Sequence, residues 1–238
     1  MKYWYEYEIK YQEVDDTRRL RLYNLENYLL EVAGTVADDL GFGIKALYPM
    51  GLTWILSRLS VEMYELPTHC DKIWFETWIE SNVHMLSTRN FRIYSGEDKH
   101  LIGQCKSVWA VLDLKKREVV NMFDHPIFEN SVDGEILDFA RVRMTTIPEP
   151  TGNETHRITY SDLEYNGHCN SCKYLETMLN TYRPEYLGKR VRLDIGYQKE
   201  ALFGDELQTL YLITPDGVQY QQKNQDGETS CSAKITIS

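Results

Sequence analysis

The sequence predicts an α+β fold in which one unit, a helix followed by a run of antiparallel strands, occurs twice. Its 17 Tyr and 5 Trp fall mostly in short segments separated by turn signals, a pattern typical of β-rich proteins. Two segments, 21–40 and 169–182, instead carry apolar residues at helical spacing. The order of these elements recurs along the chain, which indicates a duplicated unit.

The first copy is predicted as a strand at about 3–11, the helix at 21–40 and four strands. These strands lie near 52–65, 71–81, 85–95 and 100–113. A less regular stretch, 121–155, follows and contains Pro126, Pro148 and Pro150. The second copy is predicted as a strand (156–161), the helix at 169–182, and strands near 189–199, 205–213, 217–223 and 228–237.

Residue matches support the duplication. The run Arg58-Leu59-Ser60-Val61 matches Arg192-Leu193-Asp194-Ile195 at an offset of 134 positions. A single apolar helix wrapped by antiparallel strands is the hotdog architecture, so we predict a tandem double hotdog. Its predicted parts are an N-terminal hotdog (1–120), a linker (121–155) and a C-terminal hotdog (156–238). Gly34 weakens the first helix, and the sequence leaves two explanations for it: a close approach to the sheet, or simple tolerance of glycine at that position.

The composition excludes several classes of protein. A formal net charge of −10 argues against a general nucleic-acid binder, because phosphate contacts need a basic face. We expect no membrane span and no signal peptide, since no apolar run is long enough and the N-terminus leads directly into strand-like sequence. Five Cys is an odd number, which favours the reducing cytoplasm over a disulfide framework.

The candidate catalytic residues cluster where the second helix is expected to begin. Asn166 and His168 place a carboxamide and an imidazole there, and Glu164 and Glu200 add two carboxylates. We expect the backbone N–H groups of Gly167 and His168 to point outward at the helix N-terminus and polarise a carbonyl oxygen. A water attacking that carbonyl needs a base, for which Glu200 is the leading candidate, followed by Glu164 and His168. The same residue types also serve as helix caps, so a purely structural role is the alternative.

The first copy lacks this set. At the positions of Glu164, Asn166, His168 and Glu200 it has, in order, Asp15, Thr17, Arg19 and Leu66. We therefore predict that the second half carries the chemistry and that the first half shapes a binding cavity.

The run from His168 through Cys169 to Cys172 suggests a metal or redox site as an alternative. No second Cys or His pair at metal spacing follows, and Cys residues on an amphipathic helix are often buried. We predict neither a metal nor a cofactor.

At these residues the sequence resembles the acyl-acyl carrier protein (acyl-ACP) thioesterases. The family motif is Asp-Leu-Asp-x-Asn-x-His-x-Asn-x-x-x-Tyr. Here it reads Asp162-Leu163-Glu164-Tyr165-Asn166-Gly167-His168-Cys169-Asn170-Ser171-Cys172-Lys173-Tyr174. A second signature, Tyr-Arg-Arg-Glu-Cys, appears as Tyr197-Gln198-Lys199-Glu200-Ala201. The first half has weaker matches to the family at Trp54, Arg58, Thr77-Trp78, Arg89 and Ser107-Val108-Trp109.

The resemblance implies a tandem double hotdog that releases free fatty acid from acyl-ACP and so ends fatty acid synthesis. By the same resemblance the catalytic Asn and His are Asn166 and His168, and the motif Asp corresponds to Glu164. A Cys once proposed as the family's nucleophile corresponds to Ala201, which has no nucleophilic atom. This departure favours water attack assisted by Glu200 over a covalent route.

The resemblance also implies an acidic carrier protein as partner, which requires a local basic patch. The candidates for docking it are Lys115, Lys116, Arg117, Lys189 and Arg190. One bulky side chain could limit the depth of the acyl cavity, and the candidates are Trp54, Met63 and Phe91.

The alternative functions are an acyl-CoA thioesterase, a hotdog dehydratase and a non-catalytic acyl-binding protein. The oligomeric state is open between a monomer, whose repeat pairs internally, and a homodimer.

Overall fold

The computed structural model describes residues 2–129, 131–140 and 146–238. In the first half the elements are β1 (Tyr3–Glu8), α1 (Leu22–Asp39), α2 (Ile44–Leu47), β2 (Leu52–Met63), β3 (Lys72–Val83), β4 (Leu86–Ser95), β5 (His100–Asp113) and β6 (Glu118–Val119). In the second half they are β7 (Gly152–Arg157), α3 (Ser171–Thr181), β8 (Val191–Tyr197), β9 (Glu206–Thr214), β10 (Gly217–Lys223) and β11 (Thr229–Ile237). No helix in the described ranges is both long enough and apolar enough to cross a bilayer.

The described strands form one 11-stranded sheet, and each neighbouring pair is antiparallel. The strand order is β1-β3-β4-β5-β2-β8-β11-β10-β9-β7, with the short β6 beside β5. Each half contributes five strands of this path in mirrored order, and β2 and β8 join the halves. The predicted tandem double hotdog is confirmed.

The repeat axis passes through the β2–β8 pair. Ser60 lies directly opposite Asp194, and its hydroxyl donates a hydrogen bond of 2.6 Å to Oδ1 of Asp194. These two residues are 134 positions apart, which is the offset that the sequence matches predict. A residue of one half therefore pairs with its own counterpart in the other half.

The two long helices lie against one face of the sheet and against each other. Their inward residues, such as Leu29 on α1 and Met178 on α3, join Phe75 and Ile195 of the sheet in one core. Each such side chain contributes about 1.5–3 kcal/mol when it is fully buried. Helix packing on a shared sheet therefore positions both helices relative to the strand ends.

A strap, residues 131–140, crosses the opposite face of the sheet. Its Leu137 and Phe139 pack with Trp78 of β3 in a small separate apolar cluster. Lys106 of β5 donates to the carbonyl of Leu137 at 2.8 Å, and the guanidinium of Arg192 on β8 lies 4.6 Å from the ring centre of Phe139. The strap thus contacts strands of both halves.

Three predicted boundaries are wrong. The strand predicted at about 3–11 ends at Glu8. The other two have local reasons. The strand predicted at 156–161 is β7, which begins at Gly152 and ends at Arg157. The chain then turns, because the carboxylate of Asp162 accepts from both the backbone N–H (2.8 Å) and the hydroxyl (2.7 Å) of Thr159. The helix predicted at 169–182 begins only at Ser171, because Asn170 is its N-cap and accepts the N–H of Cys172 at 3.0 Å. The short elements α2 and β6 are not predicted.

Candidate active site

A cavity of about 620 Å³ lies between α1 and the first-half sheet. Leu30, Ala33, Gly34 and Ala37, one stripe of α1, form one wall. The volume falls within the roughly 300–1,000 Å³ range of small-molecule sites. A Cβ built at Gly34 would meet no atom of the described residues within 4 Å, so of the two explanations the close approach to the sheet is wrong, and Gly34 leaves the cavity open.

The turn from Glu164 to His168 lies against this cavity. Its backbone closes through Glu164 N–H to the His168 carbonyl (2.8 Å) and Gly167 N–H to the Glu164 carbonyl (2.9 Å). Gly167 has a φ of +82°, which glycine adopts without strain. Within the turn, the Asn166 side-chain amide donates to Oε2 of Glu164 at 3.1 Å.

The predicted oxyanion donors are therefore not free. Gly167 N–H is engaged in the turn, and His168 N–H lies 3.4 Å from Oε1 of Glu164. Both residues also precede the helix, which begins at Ser171. The expectation of a helix N-terminus at Gly167 is wrong, because a positive φ at that residue interrupts the helix.

His168 lies between the two predicted carboxylates. Its Nδ1 is 3.3 Å from Oε2 of Glu200 and 3.8 Å from Oε1 of Glu164. The other oxygen of Glu200, Oε1, contacts the guanidinium of Arg117. The structure thus brings Glu164, Asn166, His168 and Glu200 together, and it adds Arg117 from the first half.

The first half contains the same turn without the same chemistry. Asp15 N–H donates to the Arg19 carbonyl at 2.8 Å, and Arg18, with a φ of +64°, occupies the place of Gly167. Arg19 donates to the backbone carbonyl of Leu66 at 3.1 Å, where His168 of the second half meets the carboxylate of Glu200. Arg183 forms ion pairs with Asp16 (2.5 Å) and Asp15 (3.8 Å). The carboxylates of this turn are therefore held by Arg183.

The cysteines near the site are poor nucleophiles. Burial raises the pKa of the Cys169 thiol to about 12 and the pKa of Cys172 well above its ordinary value. Ala201, at the position of the family's Cys, is 1% exposed and its carbonyl accepts the N–H of Cys169 at 2.8 Å. In the part of the chain that the structure describes, no group of three or more His, Cys, Asp and Glu side chains is placed to hold a metal.

Of the predicted cavity-limiting residues, only Trp54 lines the cavity. Met63 lies nine residues further along β2, about 30 Å away at the rise of a strand, and is buried in the main core. Phe91 shares a face of β4 with the cavity residue Arg89 but lies two residues deeper, also in the main core. The structure does not bring Met63 and Phe91 to the cavity.

The predicted docking residues divide into two groups. Lys115, Lys116 and Arg117 follow β5 directly, and Arg117 lines the cavity. Lys189 and Arg190 precede β8, and Arg190 is seven residues from Tyr197 at the site end of that strand, about 23 Å at the rise of a strand. The guanidinium of Arg190 lies 5.2 Å from the ring centre of Tyr64. Only the first group is next to the site.

Three polar residues at or behind the cavity receive no role in the sequence prediction, although Arg89 and Tyr197 belong to the family signatures. Arg89 lies in the wall, and its burial lowers the pKa of the guanidinium to about 10. Tyr197 lines the cavity and its hydroxyl contacts Glu26, which is 1% exposed on α1. A charged residue on the apolar stripe of a helix, as Glu26 is, is a usable sequence signal.

Comparison with known proteins gives a consistent result. The model of the acyl-ACP thioesterase N-terminal domain matches residues 1–128, and that of the C-terminal domain matches residues 148–238. A crystal structure of an acyl-ACP thioesterase from Bacteroides thetaiotaomicron is 31% identical, covers 100% of this chain and 98% of its own, and superposes with a TM-score of 0.83. A 12:0-ACP thioesterase from Umbellularia californica is 17% identical, with 100% and 97% coverage and a TM-score of 0.84, and shows the same fold.

Curated relatives are more distant in sequence. A chloroplastic acyl-[acyl-carrier-protein] hydrolase of Cuphea viscosissima is 22% identical over 90% of this chain and 56% of its own length. A chloroplastic oleoyl-acyl carrier protein thioesterase of Coriandrum sativum is 22% identical over 85% of this chain and 60% of its own length. The chain thus spans little more than half the length of these relatives. Since the two domain models together match most of its residues, the chain belongs to the acyl-ACP thioesterase family.

Proposed function

We propose that this protein hydrolyses the thioester of acyl-ACP and releases a free fatty acid. The observation that carries the proposal is the His168–Glu200 contact of 3.3 Å at a cavity of about 620 Å³ with largely apolar walls. An acyl chain fits such walls, and a carboxylate beside an imidazole can manage the proton of an attacking water. Family membership supports the same reaction.

Glu200 is the general base in this proposal. The water oxygen attacks the thioester carbonyl carbon while one of its protons passes to the Glu200 carboxylate. The tetrahedral intermediate then expels the sulfur, which takes that proton from Glu200 and leaves as a thiol. His168 orients Glu200 through Nδ1, and its Nε2 is available to contact the substrate.

Asn166 is the proposed donor to the carbonyl oxygen. One of its two amide N–H bonds is directed at Glu164, which fixes the carboxamide and leaves the second N–H for the substrate. Glu164 is thus a positioning residue in this proposal. Asn166 replaces the backbone donors of Gly167 and His168, which are engaged within the turn.

The reaction proceeds without a cysteine nucleophile. A thiol must lose its proton to attack, and the raised pKa of Cys169 keeps it protonated at neutral pH. The side chain of Ala201 is a buried methyl group. With no cysteine able to attack, the proposed nucleophile is a water activated by Glu200.

The proposed partner is an acidic acyl carrier protein that docks at Lys115, Lys116 and Arg117. Their charge is complementary to such a partner, although the net charge of the chain is −10.

All five cysteines are free, and four of them are buried, which supports a reducing compartment, for which we propose the cytoplasm. Light scattering of the purified protein at micromolar concentration decides between the predicted alternatives of monomer and homodimer.

The proposal is tested by thiol release from acyl-ACP. We expect Glu200→Gln, which removes the base, and His168→Ala, which removes the group that orients it, to lower kcat by about 10²–10⁴-fold with KM changed much less. The matched control is Glu206→Gln, an exposed carboxylate of the same half, with unchanged kcat. Wild-type turnover in Glu200→Gln refutes the role of Glu200. A wild-type protein that binds acyl-ACP without releasing thiol is an acyl-binding protein, and a preference for acyl-CoA over acyl-ACP identifies the other alternative.

A further inference from the structure

A buried carboxyl group lies behind the site, and the proposed mechanism does not use it. Glu26 is on the cavity-facing stripe of α1, one turn before Leu30, and is 1% exposed. Its Oε1 accepts a hydrogen bond from the hydroxyl of Tyr197, and its Oε2 has no hydrogen-bond partner among the described residues. A buried carboxyl at such a position costs stability compared with an apolar side chain, so it calls for a function.

Tyr197 connects Glu26 to the catalytic half. It is the last residue of β8, three positions before Glu200, and its hydroxyl also lies 3.3 Å from the carbonyl of Ser171, the first residue of α3. Its ring packs edge-on against the ring of Tyr174, with centres 5.9 Å apart. The side chain of Tyr197 therefore links the end of β8, which leads to Glu200, to α1 and to the start of α3.

Tyr174 fixes the other end of the same segment. Its hydroxyl accepts the backbone N–H of Ala201 at 2.9 Å, one residue after Glu200. The segment from Gln198 to Ala201 is thus held on both sides of Glu200 by a tyrosine hydroxyl. The position of the Glu200 carboxylate relative to His168 depends on this segment.

The internal repeat shows that the fold alone does not require these polar groups. The counterparts of Glu26 and Tyr197 are Leu175 and Met63, which are both fully buried. The counterparts of Tyr174 and Ala201 are Leu25 and Pro67, and proline has no N–H to donate. Both polar pairs therefore occur only beside the turn that carries Asn166 and His168.

We propose that Glu26 and Tyr197, supported by Tyr174, are positioning residues that hold the Glu200 segment and the first turn of α3 in place for catalysis. This inference rests on the proposed hydrolytic function of the same site. It assigns to α1 of the first half a direct role in ordering the site of the second half. The contacts act through Glu200, so their loss reduces turnover more than substrate binding.

The repeat supplies the test. The double substitution Glu26→Leu with Tyr197→Met introduces the two apolar residue types that occupy the equivalent buried positions in the other half. We expect this double variant to fold, to lower kcat at least tenfold with KM within about threefold, and to speed amide exchange of Gln198–Ala201 about tenfold. Glu26→Gln keeps an acceptor for Tyr197 and should restore most of the turnover that Glu26→Leu loses. Ile73→Val, a core change in β3 remote from the site, is the control for a loss of packing alone.

Each result decides the proposal. Wild-type kcat in the double variant, or unchanged exchange of the Gln198–Ala201 amides, overturns it. If Glu26→Gln is as impaired as Glu26→Leu, the hydrogen bond to Tyr197 is not the cause and the proposal also fails. If the wild-type protein itself releases no thiol from acyl-ACP, the proposed function fails, while the exchange measurement still decides whether Glu26 and Tyr197 order the segment.

Discussion

At the scale of single residues, Arg117 links the predicted docking loop to the proposed base. Its guanidinium contacts Oε1 of Glu200, and both side chains are 44% exposed. Ion pairs at this exposure are weak, so an incoming partner can break the contact at small cost. In the free protein, Arg117 therefore competes with water for the Glu200 carboxylate.

We expect Arg117→Gln to act oppositely on two substrates. On a small neutral thioester such as acyl-N-acetylcysteamine, kcat/KM should rise, by at most about fivefold given the weakness of an exposed pair. On acyl-ACP, KM should rise because a docking charge is lost. Thiol release on both substrates measures this. Lys116→Gln is the matched control and should raise KM for acyl-ACP only; lower activity of Arg117→Gln on both substrates would mean that Arg117 orients Glu200 instead.

Glu26 makes stability depend on pH. Burial raises the pKa of its carboxyl from 4.5 to about 7, against a smaller opposite effect of the Tyr197 hydrogen bond. The ionisable groups that face it are Tyr197 on β8, Cys172 on α3, Cys105 on β5 and Cys231 on β11. Burial foremost, and the charge of Glu26 next, raise the pKa of each well above its ordinary value. Glu26 is therefore the group of this cluster that titrates between pH 4.5 and 7.

The direction of this pH dependence follows from the proton that Glu26 binds in the folded state. Between pH 4.5 and about 7 the folded state keeps the proton that the unfolded state has released, so stability falls as pH rises through this window. The full effect above pH 7 is about 3 kcal/mol for a shift of this size. Glu26→Gln cannot ionise. Its free energy of unfolding relative to wild type should therefore increase by about 2.5 kcal/mol between pH 5 and pH 8, since a smaller part of the effect is already present at pH 5. Urea denaturation at the two pH values measures this difference. An unchanged difference across these pH values would refute the assignment.

At the scale of elements, the spacing of apolar residues predicts the long helices and strands. Local polar contacts decide where these elements begin and end. The prediction for α1, 21–40, differs from the observed Leu22–Asp39 by one residue at each end. The start of α3 is missed because the N-cap of Asn170 and the positive φ of Gly167 outweigh the apolar spacing that begins at Cys169. The turn from Glu164 to His168 has a counterpart in the first half, Asp15 to Arg19, and this correspondence is visible in the sequence.

Within α1, substitutions of Gly34 should affect the stability of the fold and the length of the bound acyl chain independently. Ala fits there, since a Cβ meets no atom within 4 Å, and it removes the helix penalty of glycine. We expect Gly34→Ala to raise the free energy of unfolding by about 0.5–1 kcal/mol, measured by urea denaturation.

In Gly34→Leu, the leucine side chain should instead extend into the cavity and shift the released fatty acids toward shorter chains, measured by gas chromatography. Thr35→Ala, on the same helix and outside the cavity lining, is the control; an unchanged product profile in Gly34→Leu would place the acyl chain elsewhere.

At the scale of the whole molecule, duplication explains both what sequence could predict and what it could not. Because Ser60 faces Asp194 across the junction, the sequence offset directly gives the pairing of the two halves. The contact of Arg117 with Glu200 and that of Glu26 with Tyr197 join different halves. No offset or period relates such partners, since they are not counterparts in the repeat. These contacts therefore emerge only from the folded arrangement.

The strap, residues 131–140, is a further connection between the halves, and it lies on the face of the sheet away from the cavity. Leu137 is 6% exposed beside Trp78, whereas its neighbour Ile136 is 76% exposed. We expect Leu137→Ala to lower the free energy of unfolding by about 2–3 kcal/mol, since a buried leucine is truncated, and Tm by roughly 4–10 °C. Ile136→Ala is the matched control and should change it by less than about 0.5 kcal/mol. Because the strap does not line the cavity, kcat on acyl-ACP should stay at the wild-type value in both variants. Equal melting temperatures for the two variants would show that the strap does not stabilise the sheet.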